Sequence, residues 1–179
     1  MDNKVKDIIR RYSEVYRDFE SIQNSSKKLL PTGDQKTGVI AEYYAKCYIE
    51  HIYQVIAEYA KPGAFYDISY KTKKGRLIRV QVKGVSAYSK TRTIAPLNIR
   101  SKKKTGAFDE LFLIDLGLDF LPIAFYINTF DQIIQQLKDT KRKRVLGSKM
   151  KDLNSQKSKG SRIYDFSNNK VLDLIQALE

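Results

Sequence analysis

Asp67, Gln81 and Lys83 are the residues of this chain whose types and spacing invite a reaction. They fall on two β-like segments, residues 65–70 and 76–83, which flank Lys73-Lys74-Gly75. A three-residue loop ending in a glycine in the left-handed region is a recurrent hairpin connection. Pairing Thr72 with Arg76 then sets Tyr70 opposite Ile78, Ile68 opposite Val80 and Asp67 opposite Gln81. Alternation puts Tyr66, Ile68, Tyr70, Ile78, Val80 and Val82 on one greasy face, and Asp67, Ser69, Arg79, Gln81 and Lys83 on the other. Opposed residues hold their Cβ atoms about 4.5–5.5 Å apart, so a carboxylate and an amide oxygen can share one hard cation. Mg2+ keeps several waters and needs only one or two protein oxygens. The chemistry such a set serves is metal-assisted phosphodiester hydrolysis. The cation polarises the phosphate and acidifies a water, while the lysine orients that water or stabilises transition-state charge. A solvated sheet face carries the same residue types; what favours a site is that Asp67 borders a long stretch without acids.

Those side chains need a sheet to hold them and helices to cover its greasy face. Residues 3–22 carry Val5, Ile8, Ile9, Tyr12, Tyr16 and Phe19 at helical spacing. Asp34 is placed to cap a second helix running to about Ala60, with Ile40, Tyr44, Cys47, Tyr48, His51 and Val55 as its stripe. Further strands are expected over 93–100, 111–116 and 123–127; Leu111-Phe-Leu-Ile114 lacks alternation, as a strand covered on both faces does. Thr129 with Gln132 three residues on is a capping box for a helix to about Lys138, and 171–178 reads as a short amphipathic helix. Residues 141–161, rich in Lys, Ser and Gly, read as a loop or arm. Together these predict a single α/β domain over 1–179 with a mixed central sheet flanked by helices. It divides into an N-terminal helix and turn (1–33), a core (34–138), a basic arm (139–162) and a C-terminal helix (163–179).

The charge points to the partner. The 179 residues hold 33 Lys and Arg against 20 Asp and Glu, a net charge of +13, with 42% apolar residues, enough for a core. No Asp or Glu occurs from Ile68 to Phe108, where there are twelve cations, and residues 138–162 add ten more against Asp139 and Asp152. Positive charge gathered in this way is the footprint of a protein that neutralises phosphates. One Cys and one His exclude a disulfide framework and an ordinary zinc site. The segment 116–127 is too short to span a bilayer and carries Asp119 and Pro122, and the opening residues lack a signal-peptide stretch, so a soluble, cytoplasmic protein without a membrane partner is expected.

At this point the sequence resembles the PD-(D/E)xK nuclease superfamily. The motif stands as Tyr66-Asp67, thirteen residues, then Gln81-Val82-Lys83, and the phrases Phe65-Tyr-Asp-Ile-Ser69 and Gly75-Arg-Leu-Ile-Arg-Val-Gln-Val-Lys-Gly84 look like its restriction-type and intron-homing members, some of which use glutamine. Gly38-Val-Ile-Ala-Glu-Tyr-Tyr-Ala45 matches the upstream helix of such families, and Phe108-Asp-Glu-Leu-Phe-Leu-Ile-Asp115 with Ala124-Phe-Tyr-Ile127 matches their later strands. The resemblance implies a restriction-endonuclease-like core, Asp67 and Gln81 as ligands of Mg2+ (or Mn2+), the Val82 carbonyl as a third, Lys83 as the catalytic lysine and Glu42 near the metal or its waters. It further implies double-stranded DNA as substrate and, because one site cuts one strand, a homodimer or higher homo-oligomer. Tyr66 stands where the family name has Pro, a position that shapes only the backbone. Gln81 in place of an acid removes a negative charge, which means weaker metal affinity or a chain that binds without cutting.

For DNA contacts the candidates are Tyr88, Arg92, Asn98 and Arg100 beyond the hairpin, with Lys102, Lys103, Lys104 and Lys141-Arg142-Lys143-Arg144 on phosphates. Tyr12, Tyr16 and Tyr44, at helical spacing, are expected in the core, and His51 packed beside them. The run Pro31-Thr-Gly-Asp-Gln-Lys-Thr-Gly38 fails as a phosphate loop because Gln35, not Gly, precedes the lysine. Two other readings share the core: a structure-selective nuclease such as a Holliday junction resolvase, and a non-catalytic nucleic-acid-binding module.

Overall fold

The structure is a computed structural model and describes residues 3–25, 37–61, 63–88, 94, 97, 108–139 and 164–179. Its centre is a five-stranded mixed sheet in the order β1 (Ala57–Tyr59), β2 (Ile68–Lys71), β3 (Leu77–Ser86), β4 (Glu110–Leu116), β5 (Pro122–Thr129). Neighbours run antiparallel except β3 and β4, which are parallel. Helices α1 (Asn3–Ser25), α2 (Thr37–Ile52), α3 (Phe130–Asp139) and α4 (Val171–Leu178) flank it. This is the mixed, helix-flanked α/β fold expected.

Two apolar layers cover the two sheet faces. On one, Ile68, Tyr70, Ile78, Val80 and Val82 of the hairpin, with Phe112, Ile114 and Phe125, pack against Ile40, Ala41, Tyr44, Ala45, Tyr48 and Ile49 of α2, and Leu174 and Leu178 of α4. On the other, Val85, Leu111, Leu113, Ala124 and Tyr126 meet Ile133 of α3, together with Ile94, Leu97 and Tyr164. Burial from both sides is why Leu111-Phe112-Leu113-Ile114 is apolar without a break: all four are fully buried. Helix α2 comes unusually close to β3 because residue 84 is glycine. A Cβ there would lie 2.7 Å from Ala41 Cβ and 3.2 Å from the Thr37 carbonyl oxygen.

The hairpin has the register counted from its turn: Tyr70 pairs with Ile78, Ile68 with Val80, and the Thr72 N–H donates to the Arg76 carbonyl at 2.9 Å. Gly75, at φ +81°, takes the left-handed position that glycine occupies without strain. The capping box forms in both directions, Thr129 N–H to Gln132 Oε1 at 2.8 Å and Gln132 N–H to Thr129 Oγ1 at 3.2 Å.

Four expectations are corrected. Helix α2 stops at Ile52 rather than Ala60; the chain reverses through Gln54 at φ +55°, and residues 57–59 form edge strand β1, tied to the helix by the Ala57 N–H to Glu50 Oε1 bond of 3.3 Å. His51, in that last turn, is exposed rather than packed. Tyr66 joins the layer opposite Ile68, because the ladder is irregular at Asp67, whose N–H bonds the Val80 carbonyl at 2.9 Å. On α1, Ile8 and Phe19 are exposed, since the helix packs through Ile9, Tyr12, Ser13 and Tyr16. Of the strand expected over 93–100, Ile94 and Leu97 are described, and neither lies in one of the five strands. The Asp34 cap and the arm at 141–161 lie outside the described residues.

Candidate active site

Asp67 sits where β1, β2 and β3 meet, and its backbone is held from both sides. Its N–H goes to Val80 of β3, and its carbonyl accepts the Ala60 N–H at 2.8 Å. With the main chain fixed, the carboxylate reaches across to β3. There Oδ2 accepts the Val82 N–H at 2.7 Å and is in contact with the Gln81 Nε2 donor. Gln81 Nε2 also lies 3.4 Å from the Val82 carbonyl oxygen. Three of the groups expected to surround a cation, the Asp67 carboxylate, the Gln81 amide and the Val82 carbonyl, therefore converge on one point. Rotating the amide by half a turn would present Oε1 there in place of Nε2.

Lys83 and Glu42 complete the cluster electrostatically. Burial pushes the Asp67 carboxyl above its ordinary range, opposed by the Val82 N–H, the Lys83 charge and the Gln81 amide. Burial also raises Glu42, which the Asp67 charge raises further and the Lys83 charge lowers. Glu42 follows Ala41 directly, the residue that touches the Gly84 position, so the close approach of α2 to β3 brings this carboxylate within the field of Asp67. Two half-buried acids and one lysine thus share one electrostatic environment.

The donor set fits a hard cation. Among the described residues no group of three or more His, Cys, Asp and Glu side chains is arranged to hold a metal. The Asp67 carboxylate, the Val82 carbonyl and, with the amide turned, Gln81 Oε1 are oxygen donors of the kind that would hold Mg2+, which binds through one or two carboxylates and retains water.

Of the proposed nucleic-acid contacts, Tyr88 lies within the described residues. Its ring packs against Tyr16 (4.6 Å between centroids) and Phe120 (5.5 Å), and its hydroxyl donates to the Leu118 carbonyl at 2.7 Å, which leaves the side chain half-buried. Arg92, Asn98, Arg100, Lys102, Lys103, Lys104, Lys141, Arg142, Lys143 and Arg144 lie outside the described residues. Sequence reasoning missed Asp109, whose Oδ2 accepts both the Arg79 N–H (2.9 Å) and Nε–H (3.1 Å) and so holds the hairpin against the start of β4. The signal was present: Asp109 follows the acid-free stretch and precedes the most apolar strand.

No family model matches the chain, and no curated protein does. Among solved structures, a bacterial homing endonuclease, I-Ssp6803I, aligns with 80% of this chain and 93% of its own at 18% sequence identity and a TM-score of 0.49.

Proposed function

We propose that this protein is a divalent-metal-dependent endonuclease that hydrolyses phosphodiester bonds of double-stranded DNA, of restriction or homing type, acting as a homodimer or higher homo-oligomer. One observation carries the reading: the Asp67 carboxylate, fixed by the Val82 N–H and the Gln81 amide of β3, stands in the field of both Glu42 from α2 and Lys83. Asp67, Gln81, the Val82 carbonyl and Glu42 would hold Mg2+ or Mn2+. The bound ion would supply polarisation of the phosphate and a more acidic water. Lys83, on the same strand two residues beyond Gln81, would use its ammonium to orient the attacking water and to offset charge gathering on the phosphate oxygens. The net charge of +13 draws the polyanion to the protein.

Incubating supercoiled plasmid with the protein, with and without Mg2+ or Mn2+, tests this. Nicked or linear product is expected only with metal. Asp67→Asn and Lys83→Ala are each expected to abolish it while leaving duplex affinity within a few-fold. Product from both variants would eliminate this site, and tight, salt-sensitive binding without any product would make the chain a binding module. Faster cleavage of four-way junctions than of linear duplex would place it with the resolvases.

A further inference from the structure

The hairpin that carries the site at its base ends in a second cluster of charge that no role above uses. Lys71, Lys73, Lys74 and Arg76 crowd its tip, all exposed. The tip is closely held: the Gly75 N–H donates to the Thr72 carbonyl at 2.8 Å, and the Arg76 N–H to Thr72 Oγ1 at 3.1 Å. The cations are therefore presented at a fixed place. They are also poorly neutralised. Asp109 is engaged with Arg79 and reaches Arg76 only at 3.8 Å, Lys73 meets the neutral Gln54 amide at 3.3 Å, and among the described residues no carboxylate pairs with Lys71 or Lys74. Like charges held together on a tight turn repel one another, and a polyanion relieves that repulsion.

The sheet decides which polyanion surface reaches them. The face bearing Ile68, Tyr70, Ile78, Val80 and Val82 is buried under α2, while Lys71, Lys73, Lys74 and Arg76 stay exposed beyond it. Lys71 closes β2, four residues along the chain from Asp67, and the sheet is uncovered at this end, where Leu77, paired with Lys71, is 51% exposed. Four residues of antiparallel strand span about 14 Å. Along a duplex that distance is about four base pairs, each strand carrying one phosphate per 3.4 Å of axis. On the opposite side of this track the exposed Glu58, facing Ser69 from β1, bounds the surface with negative charge.

We infer that the β2–β3 tip is a phosphate clamp, gripping the DNA backbone about four base pairs from the bond presented to Asp67. The inference rests on the DNA reading proposed above and adds a place of contact to it. The clamp positions the duplex without reading sequence.

The test is duplex binding by fluorescence anisotropy in EDTA, where no cutting occurs, from 50 to 200 mM salt. Each lost phosphate contact lowers the slope of log affinity against log salt by about 0.9. The combined variant Lys71→Gln, Lys73→Gln, Lys74→Gln is therefore expected to lose about 40-fold less affinity across that range than the unsubstituted chain. A variant of equal charge change away from the hairpin tip, Lys6→Gln, Arg11→Gln, Arg17→Gln on α1, is expected to keep most of the original slope. Equal slopes for the tip variant and the unsubstituted chain, with unchanged thermal melts, would overturn the clamp and leave the nuclease reading intact. The expected slope change in a chain that never nicks plasmid supports the clamp and overturns catalysis. An unsubstituted chain that binds anionic vesicles and not duplex would overturn both.

Discussion

Substituting Gly84 by alanine should damage the candidate site without touching any residue in it. The added Cβ would stand 2.7 Å from Ala41 Cβ, 3.2 Å from the Thr37 carbonyl oxygen and 3.4 Å from Thr37 Cγ2. Carbon atoms rest at about 3.5–4.0 Å, so helix α2 must withdraw by about 1 Å. Ala41 is fully buried, which leaves no flexible side chain to absorb the movement. Overpacking of this kind costs about 1–3 kcal/mol, or about 2–12 °C of melting temperature for a chain of this size. Glu42 travels with Ala41, and a displacement of about 1 Å at a reacting centre lowers rates by about 100-fold. The control is Val85→Ala, a buried residue on the other face of β3 that leaves α2 in place and costs about 2 kcal/mol. Plasmid-nicking rates for both variants should be compared well below either melting transition. Gly84→Ala should lose far more activity than Val85→Ala at similar loss of stability. Equal activities would refute the link between helix approach and chemistry, and an unchanged melt would refute the packing argument itself.

Three further outcomes follow from the same geometry. Asp67 and Glu42 are both held up by burial, so in the metal-free protein their contribution to stability is present in acid and is lost as pH rises through their raised values. Metal binding needs both ionised; calorimetric Mg2+ titrations should therefore weaken at a pH above the ordinary carboxylate range, and an acid limit within that range would contradict the burial argument. Gln81→Glu adds a negative charge beside Asp67 and should tighten metal binding, so an unchanged affinity would remove Gln81 from the ligand set. Thr129→Ala breaks the capping box and should lower stability by about 0.5–2 kcal/mol, read by urea denaturation; no change would mean the box stabilises neither α3 nor the sheet end it leaves.

How much of this was written in the sequence depended on whether a local rule governed each element. The hairpin was legible because Thr72-Lys73-Lys74-Gly75 is turn chemistry that admits one register, and the pairing of Tyr70 with Ile78 follows. The two-sided burial of β4 was legible because nothing polar interrupts Leu111 to Ile114. Strand β1 was not, since Val55-Ile-Ala57 continues the apolar pattern of α2, and the reversal at Gln54 uses a positive φ that no glycine announces. Tyr66 was misplaced because strict alternation assumes a regular ladder, while the Asp67 backbone bonds Val80 out of that pattern. The packing of Tyr88 was not legible because its partners, Tyr16 and Phe120, are brought to it by tertiary structure alone. At the candidate site, the nearness of Asp67 and Gln81 was legible by counting along a hairpin, whereas the place of Glu42 rests on a helix docking against Gly84, a contact made across the fold.

The single parallel pair in the sheet has a bearing on how the chain acquires its shape. Glu42, Asp67, Gln81 and Lys83 all precede the crossover into β4, so the part of the chain that carries the candidate site is made before β4 is. Until the chain returns at Glu110, however, β3 offers an unpaired border rich in Ile and Val, the kind of surface through which nascent polypeptides associate wrongly. Production of this protein should accordingly be limited less by its final stability than by the interval between making β3 and covering it, and slowing initiation or lowering the growth temperature should raise the soluble yield.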